Sequence, residues 1–166
     1  MRRVTAGLLA HHEQGEPAVF LVHPGGPYWA ERDEGSWSIP KGLCEEAEEP
    51  LAAARREFTE EVGRPPPDGP FIDLGAIPQR SGKLIRVWAV PADPALVFVS
   101  SNEFELEWPR HSGRMVRFPE VDRAEWFPIS TARRRLLDGQ LDFLDRLVDH
   151  LAETDPDLAR FRSQPR

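Results

Sequence analysis

Three glutamates, Glu57, Glu60 and Glu61, stand at positions i, i+3 and i+4 of the stretch "PLAAARREFTEEVG". On an α-helix these positions share one face. Like charges at this spacing destabilise a helix by about 0.2–0.5 kcal/mol per pair. Such a face is either left to water or kept for a cation. Oxygen donors converging from one face are hard ligands, suited to Mg²⁺ or Mn²⁺. From Lys41 to Gly63 there are seven glutamates against one lysine and two arginines, a net −4 out of −7 for the whole chain. A divalent cation would relieve that concentration.

The helix that must carry them is legible from its ends. Pro50 suits a first turn, where its missing N–H would have no intrahelical partner. Leu51 to Ala54 are mostly strong helix formers, Gly63 is a C-terminal cap candidate, and "PPP" at 65–67 forbids continuation. The spacing predicts a helix of about 13 residues over Pro50 to Val62. Upstream, "VTAGLLAHH" and "PAVFLVHP" flank the turn-rich "EQGEP" and predict a hairpin. Trp37 to Ile39 reads as a brief strand before Pro40. "FIDLGAIPQ", "KLIRVWAVPA" and "ALVFVS" read as further strands, while Phe104 to Ile129 reads mostly as loop with strand pieces near its ends. "STARRRLLDGQ" opens with Ser130 and Thr131 as cap candidates. Leu141, Leu144, Leu147, Val148 and Leu151 recur at helical spacing. The expectation is one α+β domain over residues 1–155, with a mixed sheet covered by helices, and a loosely held tail over 156–166.

The bulk numbers restrict the function. With 166 residues, 40% apolar and 30% charged, the chain has the make-up of an ordinary globular protein. An overall charge of −7 argues against a broad nucleic-acid surface, so extended nucleic acid is not expected as a partner. Cys44 is the only cysteine, which points to a reducing compartment. The opening "MRRVTAGLLAHHEQ" has too short an apolar run for a secretory signal, and no window approaches a membrane span. A cytoplasmic protein without a membrane partner is the expectation.

The helix lies within a longer pattern. Gly42, five residues, Glu48, seven residues and then Arg56-Glu57-Phe58-Thr59-Glu60-Glu61-Val62-Gly63 resembles the Nudix box, G-x5-E-x7-R-E-U-x-E-E-x-G-U, with U a bulky apolar residue. All seven fixed identities match; coincidence at one start position is of order 10⁻⁸. The final U departs, because it is Arg64 here, which puts the packing after the helix in doubt. The resemblance implies an α/β/α sandwich and metal-dependent hydrolysis of a nucleoside diphosphate linked to another moiety. By the same resemblance Glu57, Glu60 and Glu61 would be metal ligands, with the backbone carbonyl of Lys41 as a further one. Glu48 and Arg56 would orient the carboxylates. A carboxylate outside the box usually completes such a site; "FPEVDRAEWF" offers Glu120, with Glu125 as the rival. A box glutamate or Glu120 would accept the proton of the attacking water.

The substrate is approached from the flanks. "PKG" before the box is similar to that of Nudix hydrolases acting on dinucleoside polyphosphates and diphosphoinositol polyphosphates. It would set the Lys41 ammonium beside a long phosphate chain. "WPRHSGRMVRF", from Trp108 to Phe118, carries three arginines and His111 with no acid, so Arg114 and Arg117 are further phosphate-binding candidates. Tyr28, Trp29, Trp37, Trp88 and Trp108 are candidate base platforms, with Trp37, beside the "PKG" turn, the one assigned to substrate. Five tryptophans favour a nucleotide over an inositol pyrophosphate. The leading expectation is diadenosine tetraphosphate, cut to ATP and AMP. ADP-ribose, nucleoside triphosphates, diphosphoinositol polyphosphates, a 5′ RNA end, or nucleotide binding without cleavage are the alternatives.

Overall fold

A computed structural model describes residues 2–163 of the chain. Strand β1 (Val4–His12) has one edge divided between two partners. Its C-terminal end pairs with β2 (Ala18–Pro24), His11 opposite Val19, to close the expected hairpin. Its N-terminal half pairs instead with β3 (Lys41–Leu43), Gly7 opposite Lys41 and Thr5 opposite Leu43. The residues between reach β2 through a two-way pair of bonds, Val22 N–H to Ser38 O at 2.8 Å and Ser38 N–H to Val22 O at 2.9 Å. Segment 37–43 is thus wedged between β1 and β2. Trp37 to Ile39 forms only isolated bridges, and the true strand begins at Lys41, four residues later than the sequence suggests.

The other edge of β1 runs parallel to β5 (Leu84–Pro91), which pairs antiparallel with β4 (Ile72–Pro78). β8 (Val121–Pro128) closes the far side against β2, for an order β4-β5-β1-β2-β8. The sheet is therefore mixed, as expected. Alternation along its strands builds two cores. Leu9, Val19, Leu21, Val87 and Ala89 face α2 (Ile129–Arg135) and α3 (Leu141–Thr154). Ala6, Leu8, Phe20, Val22, Trp88 and Val90 face α1 (Pro50–Val62). Period two on the strands and period 3.6 on the helices make this an α/β/α sandwich. All five apolar positions expected on α3 pack on the first core.

Four local expectations fail. Residues 96–100 form no ladder, since Val97 and Val99 point to solvent while Leu96 and Phe98 pack beside the second core. The stretch expected to be mostly loop instead holds an antiparallel hairpin, β6 (Glu103–Glu107) with β7 (Met115–Pro119). No side-chain cap opens α2; the Ser130 hydroxyl donates to Glu16 at 2.9 Å, across the β1–β2 turn. Of the expected loose tail, Pro156–Phe161 form a 3-10 turn whose Leu158 and Phe161 pack on the first core, while 164–166 lie outside the described residues. Arg133 fastens that turn by donating to Phe161 O at 2.7 Å. Among the described residues no helix is long and apolar enough to cross a membrane.

Candidate active site

α1 has the bounds its sequence predicts, and Gly63 ends it at φ 80° with its N–H on Thr59 O. Ala54, Phe58 and Val62 bury one stripe, leaving the glutamates beside it. Arg56 organises them. Its Nε–H donates to Glu48 Oε2 at 2.8 Å and one terminal nitrogen to Glu48 Oε1 at 2.9 Å. The other terminal nitrogen donates to Glu57 at 2.8 Å and Glu60 at 3.2 Å, and a further bond reaches Leu43 O at 3.1 Å. The two-pronged grip holds the Glu48 carboxyl at about 2, far below the usual range. One guanidinium therefore ties three box carboxylates to the turn before the helix.

Glu61 faces the other way, toward the wedge. It accepts the Lys41 backbone N–H at 3.2 Å. Burial, opposed by Lys41 and reinforced by Glu57 and Glu120, pushes its carboxyl up to about 8. Burial also raises Glu57, against the pull of Arg56. Gly42 explains how the wedge approaches so closely. A Cβ there would fall 2.0 Å from Glu57 Cδ, on top of the carboxylate. Because only the end of a flexible side chain obstructs it, Gly42→Ala should fold with a small stability loss while displacing Glu57. Misplacement by about 1 Å costs roughly a hundredfold in rate. Thermal melting together with kcat/KM checks both halves of this expectation.

Glu120 reaches the cluster through main-chain bonds no motif announces. The orphan carbonyls at the end of α1 are taken up by segment 99–102: Val99 N–H on Val62 O at 2.9 Å and Asn102 N–H on Glu60 O at 2.9 Å. Asn102 O then accepts the Glu120 N–H at 2.8 Å, and Glu120 O accepts the Gly25 N–H at 2.9 Å. The Glu120 charge consequently acts on both Glu57 and Glu61. Glu125 sits farther along β8, opposite Leu21, and is exposed. Gly25 was missed by sequence reasoning, although the Gly25-Gly26 pair was a signal: a Cβ on Gly25 would fall 1.9 Å from Pro119 O. Arg64 is exposed, and the bonds of Val99 and Ser100 to Val62 O seat the following chain without an apolar residue there.

Two substrate-binding candidates do not belong to this cluster as expected. Trp37 is 1% exposed, packed in the first core with its indole N–H on Asp33 at 2.8 Å, so it offers no face to a base. Its wedge position between two strands is what buries it. Arg117 lies between Glu103 at 3.7 Å and Glu105 at 4.0 Å on the hairpin shaft, neutralised by the facing strand. Arg114 stands at the exposed hairpin tip, where its O accepts the Trp108 N–H at 2.9 Å. Trp88 is buried. A cavity of about 690 Å³ opens between the β4–β5 turn and the α2–α3 junction. None of Glu57, Glu60, Glu61 and Glu120 lines it, so chemistry rather than volume selects the site.

The donor set fits a hard divalent cation in kind. It is made of carboxylate oxygens, one of them half-buried with a single backbone donor and beside two further acids. Among the described residues no three such groups already stand as a closed cage. Arg56 and the Lys41 amide draw the carboxylates to different sides.

A profile of the NUDIX domain matches residues 1–147. No curated protein matches this chain. A mutT/nudix family protein from Listeria innocua aligns at TM-score 0.60 and 20% identity, over 92% of this chain and 95% of that one. An Ap4A hydrolase from C. elegans, solved as a binary complex, aligns at 0.61 and 18%, over 90% and 98%. The NUDIX domain of Shewanella oneidensis NrtR, complexed with ADP ribose, aligns at 0.59 and 15%, over 91% and 89%. At such identities the likeness is one of fold.

Proposed function

This chain belongs to the Nudix family of pyrophosphohydrolases, and from that premise we propose that it cuts a dinucleoside polyphosphate, diadenosine tetraphosphate to ATP and AMP being the leading case. The observation that carries the reading is the nearness of four carboxylates, Glu57 and Glu60 held by Arg56, Glu61 by the Lys41 amide, and Glu120 tied to the end of α1 through Asn102, with Glu57 and Glu120 both acting on Glu61. The long phosphate chain is supported by the likeness of the "PKG" turn to that of Nudix hydrolases acting on dinucleoside polyphosphates, and the Lys41 charge lies near Glu61.

Glu57, Glu60 and Glu61, with the Lys41 carbonyl and Glu120, would hold Mg²⁺ or Mn²⁺. Such an ion supplies charge against the phosphate oxygens and makes water more acidic. Arg56 keeps the carboxylates aimed, so little reorganisation is left to the reaction. Water oxygen bonds to phosphorus, the anhydride P–O bond breaks, and Glu120 takes the water's proton. The Lys41 ammonium stabilises charge on the departing phosphate.

The test is a substrate panel with products separated by anion exchange, run with Mg²⁺ and with Mn²⁺. ATP and AMP from diadenosine tetraphosphate are expected. Turnover of ADP-ribose, nucleoside triphosphates or inositol pyrophosphates alone would overturn the substrate class. No turnover of any member, with retained nucleotide affinity, would favour a binding module.

A further inference from the structure

The tip of the β6–β7 hairpin takes no part in the chemistry above, yet it is built in a way the shaft is not. From Trp108 to Arg114 it carries Arg110, His111 and Arg114 and no acid. The shaft keeps Glu103, Glu105 and Glu107 on one face, two of them on Arg117 and the third accepting the His111 backbone N–H at 2.6 Å. The other face is apolar, with Phe104 and Phe118 ring centroids 6.1 Å apart. Positive charge is thus left only at the tip.

Loop 25–30 supplies the tip with a second aromatic. It is tied at its foot to Glu120 by the Gly25 N–H and climbs the apolar face. Gly26 passes so close to Phe104 that a Cβ would lie 3.0 Å from the ring. Tyr28 then meets Trp108 edge to face, centroids 5.4 Å apart and planes at 81°. Arg110 Nε–H donates to the Tyr28 hydroxyl at 2.9 Å, with its guanidinium 5.4 Å from the Tyr28 centroid. Tyr28 is nonetheless 45% exposed, and Arg110 is open to solvent. The turn is closed by its own bonds, Trp108 N–H to Arg114 O and Ser112 N–H to Pro109 O, so the arrangement exists before any ligand arrives.

We infer that Tyr28, Trp108 and Arg110 hold the distal nucleoside of the dinucleoside polyphosphate, the one separated from the cut by several phosphates. Bases stack on aromatic rings and on guanidinium planes alike. Reach decides which nucleoside. Arg114 stands opposite Trp108, six residues of strand before Glu120, which is about 20 Å at ~3.3 Å per residue. A base joined to the reacting phosphorus by a ribose alone falls short of that. A base set off by a ribose and further phosphates spans it. The inference rests on the dinucleoside reading above.

Kinetics of Tyr28→Ala and Arg110→Ala on diadenosine tetraphosphate and on ADP-ribose test it, with thermal melts as a folding control. About a tenfold rise in KM for diadenosine tetraphosphate is expected for each, with kcat within about twofold and ADP-ribose unaffected. Trp108→Phe, which keeps a ring against Tyr28, should retain most of the affinity. An unchanged KM for diadenosine tetraphosphate in variants that still fold overturns the tip assignment and leaves the dinucleoside reading standing. So does equal loss on both substrates. If the unsubstituted protein does not cut diadenosine tetraphosphate at all, both readings fall.

Discussion

Glu61→Gln removes about a thousandfold of turnover while making the metal-free protein harder to melt. The two effects have one cause. The Glu61 carboxyl is half-buried beside Glu57 and Glu120, and burial with that repulsion pushes it up to about 8. Keeping a charge there opposes folding unless a cation answers it. Glutamine retains an oxygen for the Lys41 N–H, now at 3.2 Å, and carries no charge. A gain of about 1 kcal/mol, or roughly 2–4 °C in Tm for a chain this size, is expected in EDTA. The rate loss follows because a missing ion ligand withdraws several kcal/mol of charge stabilisation, and about 4 kcal/mol is near a thousandfold. Melting with and without Mg²⁺, beside kcat/KM, reads both. An Mg²⁺-induced rise in Tm as large in the variant as in the parent would remove Glu61 from the ligand set.

Arg56→Lys is also damaging, although it preserves the charge. The guanidinium spans Glu48 with two bonds and still reaches Glu57, Glu60 and the Leu43 carbonyl. An ammonium is a compact point charge and cannot fork across that set. Freed from it, Glu57 and Glu60 repel along the helix, and the turn before α1 loses its tie. A fall of about a hundredfold in kcat/KM is expected, as for other orienting groups around a reacting centre. The required concentration of Mg²⁺ should rise with it. An Arg56→Lys enzyme with parental activity and metal requirement would show that the carboxylates hold their places without the fork.

The two substitutions separate roles that the acidic face alone does not. On the proposed reading Glu61 would be costly to the fold and useful to the reaction, so its loss should raise stability. Arg56 would serve both, so its loss should lower both. Gly42→Ala lies between, with little folding cost and a displaced Glu57. A stability gain in Glu61→Gln beside losses in the other two variants would be hard to reconcile with a merely solvated acidic helix.

Much of the candidate site was legible because its signals are local. Pro50, the run of alanines, Gly63 and the prolines after it fix a helix within one stretch of chain, and α1 has those bounds. The box spacing and the excess of glutamate pointed to Glu57, Glu60, Glu61, Arg56 and Glu48 without any knowledge of the fold. The apolar runs of β1, β2 and β5, and helical spacing on α3, likewise needed only neighbours a few residues apart.

What required the tertiary structure was everything set by partners distant in the chain. Trp37 and Tyr28 are both aromatic residues near turns. Only the insertion of segment 37–43 between β1 and β2 buries the first, and only the climb of loop 25–30 along the hairpin brings the second to Trp108. Arg114 and Arg117 look alike in sequence, but the facing strand puts Glu103 and Glu105 beside Arg117 alone. Glu120 is joined to α1 through Asn102, by backbone groups that every residue possesses and that composition therefore cannot reveal. Side-chain type and spacing determined which chemistry this chain is equipped for. Pairing and burial, which depend on contacts tens of residues apart, decided which of those side chains stand together.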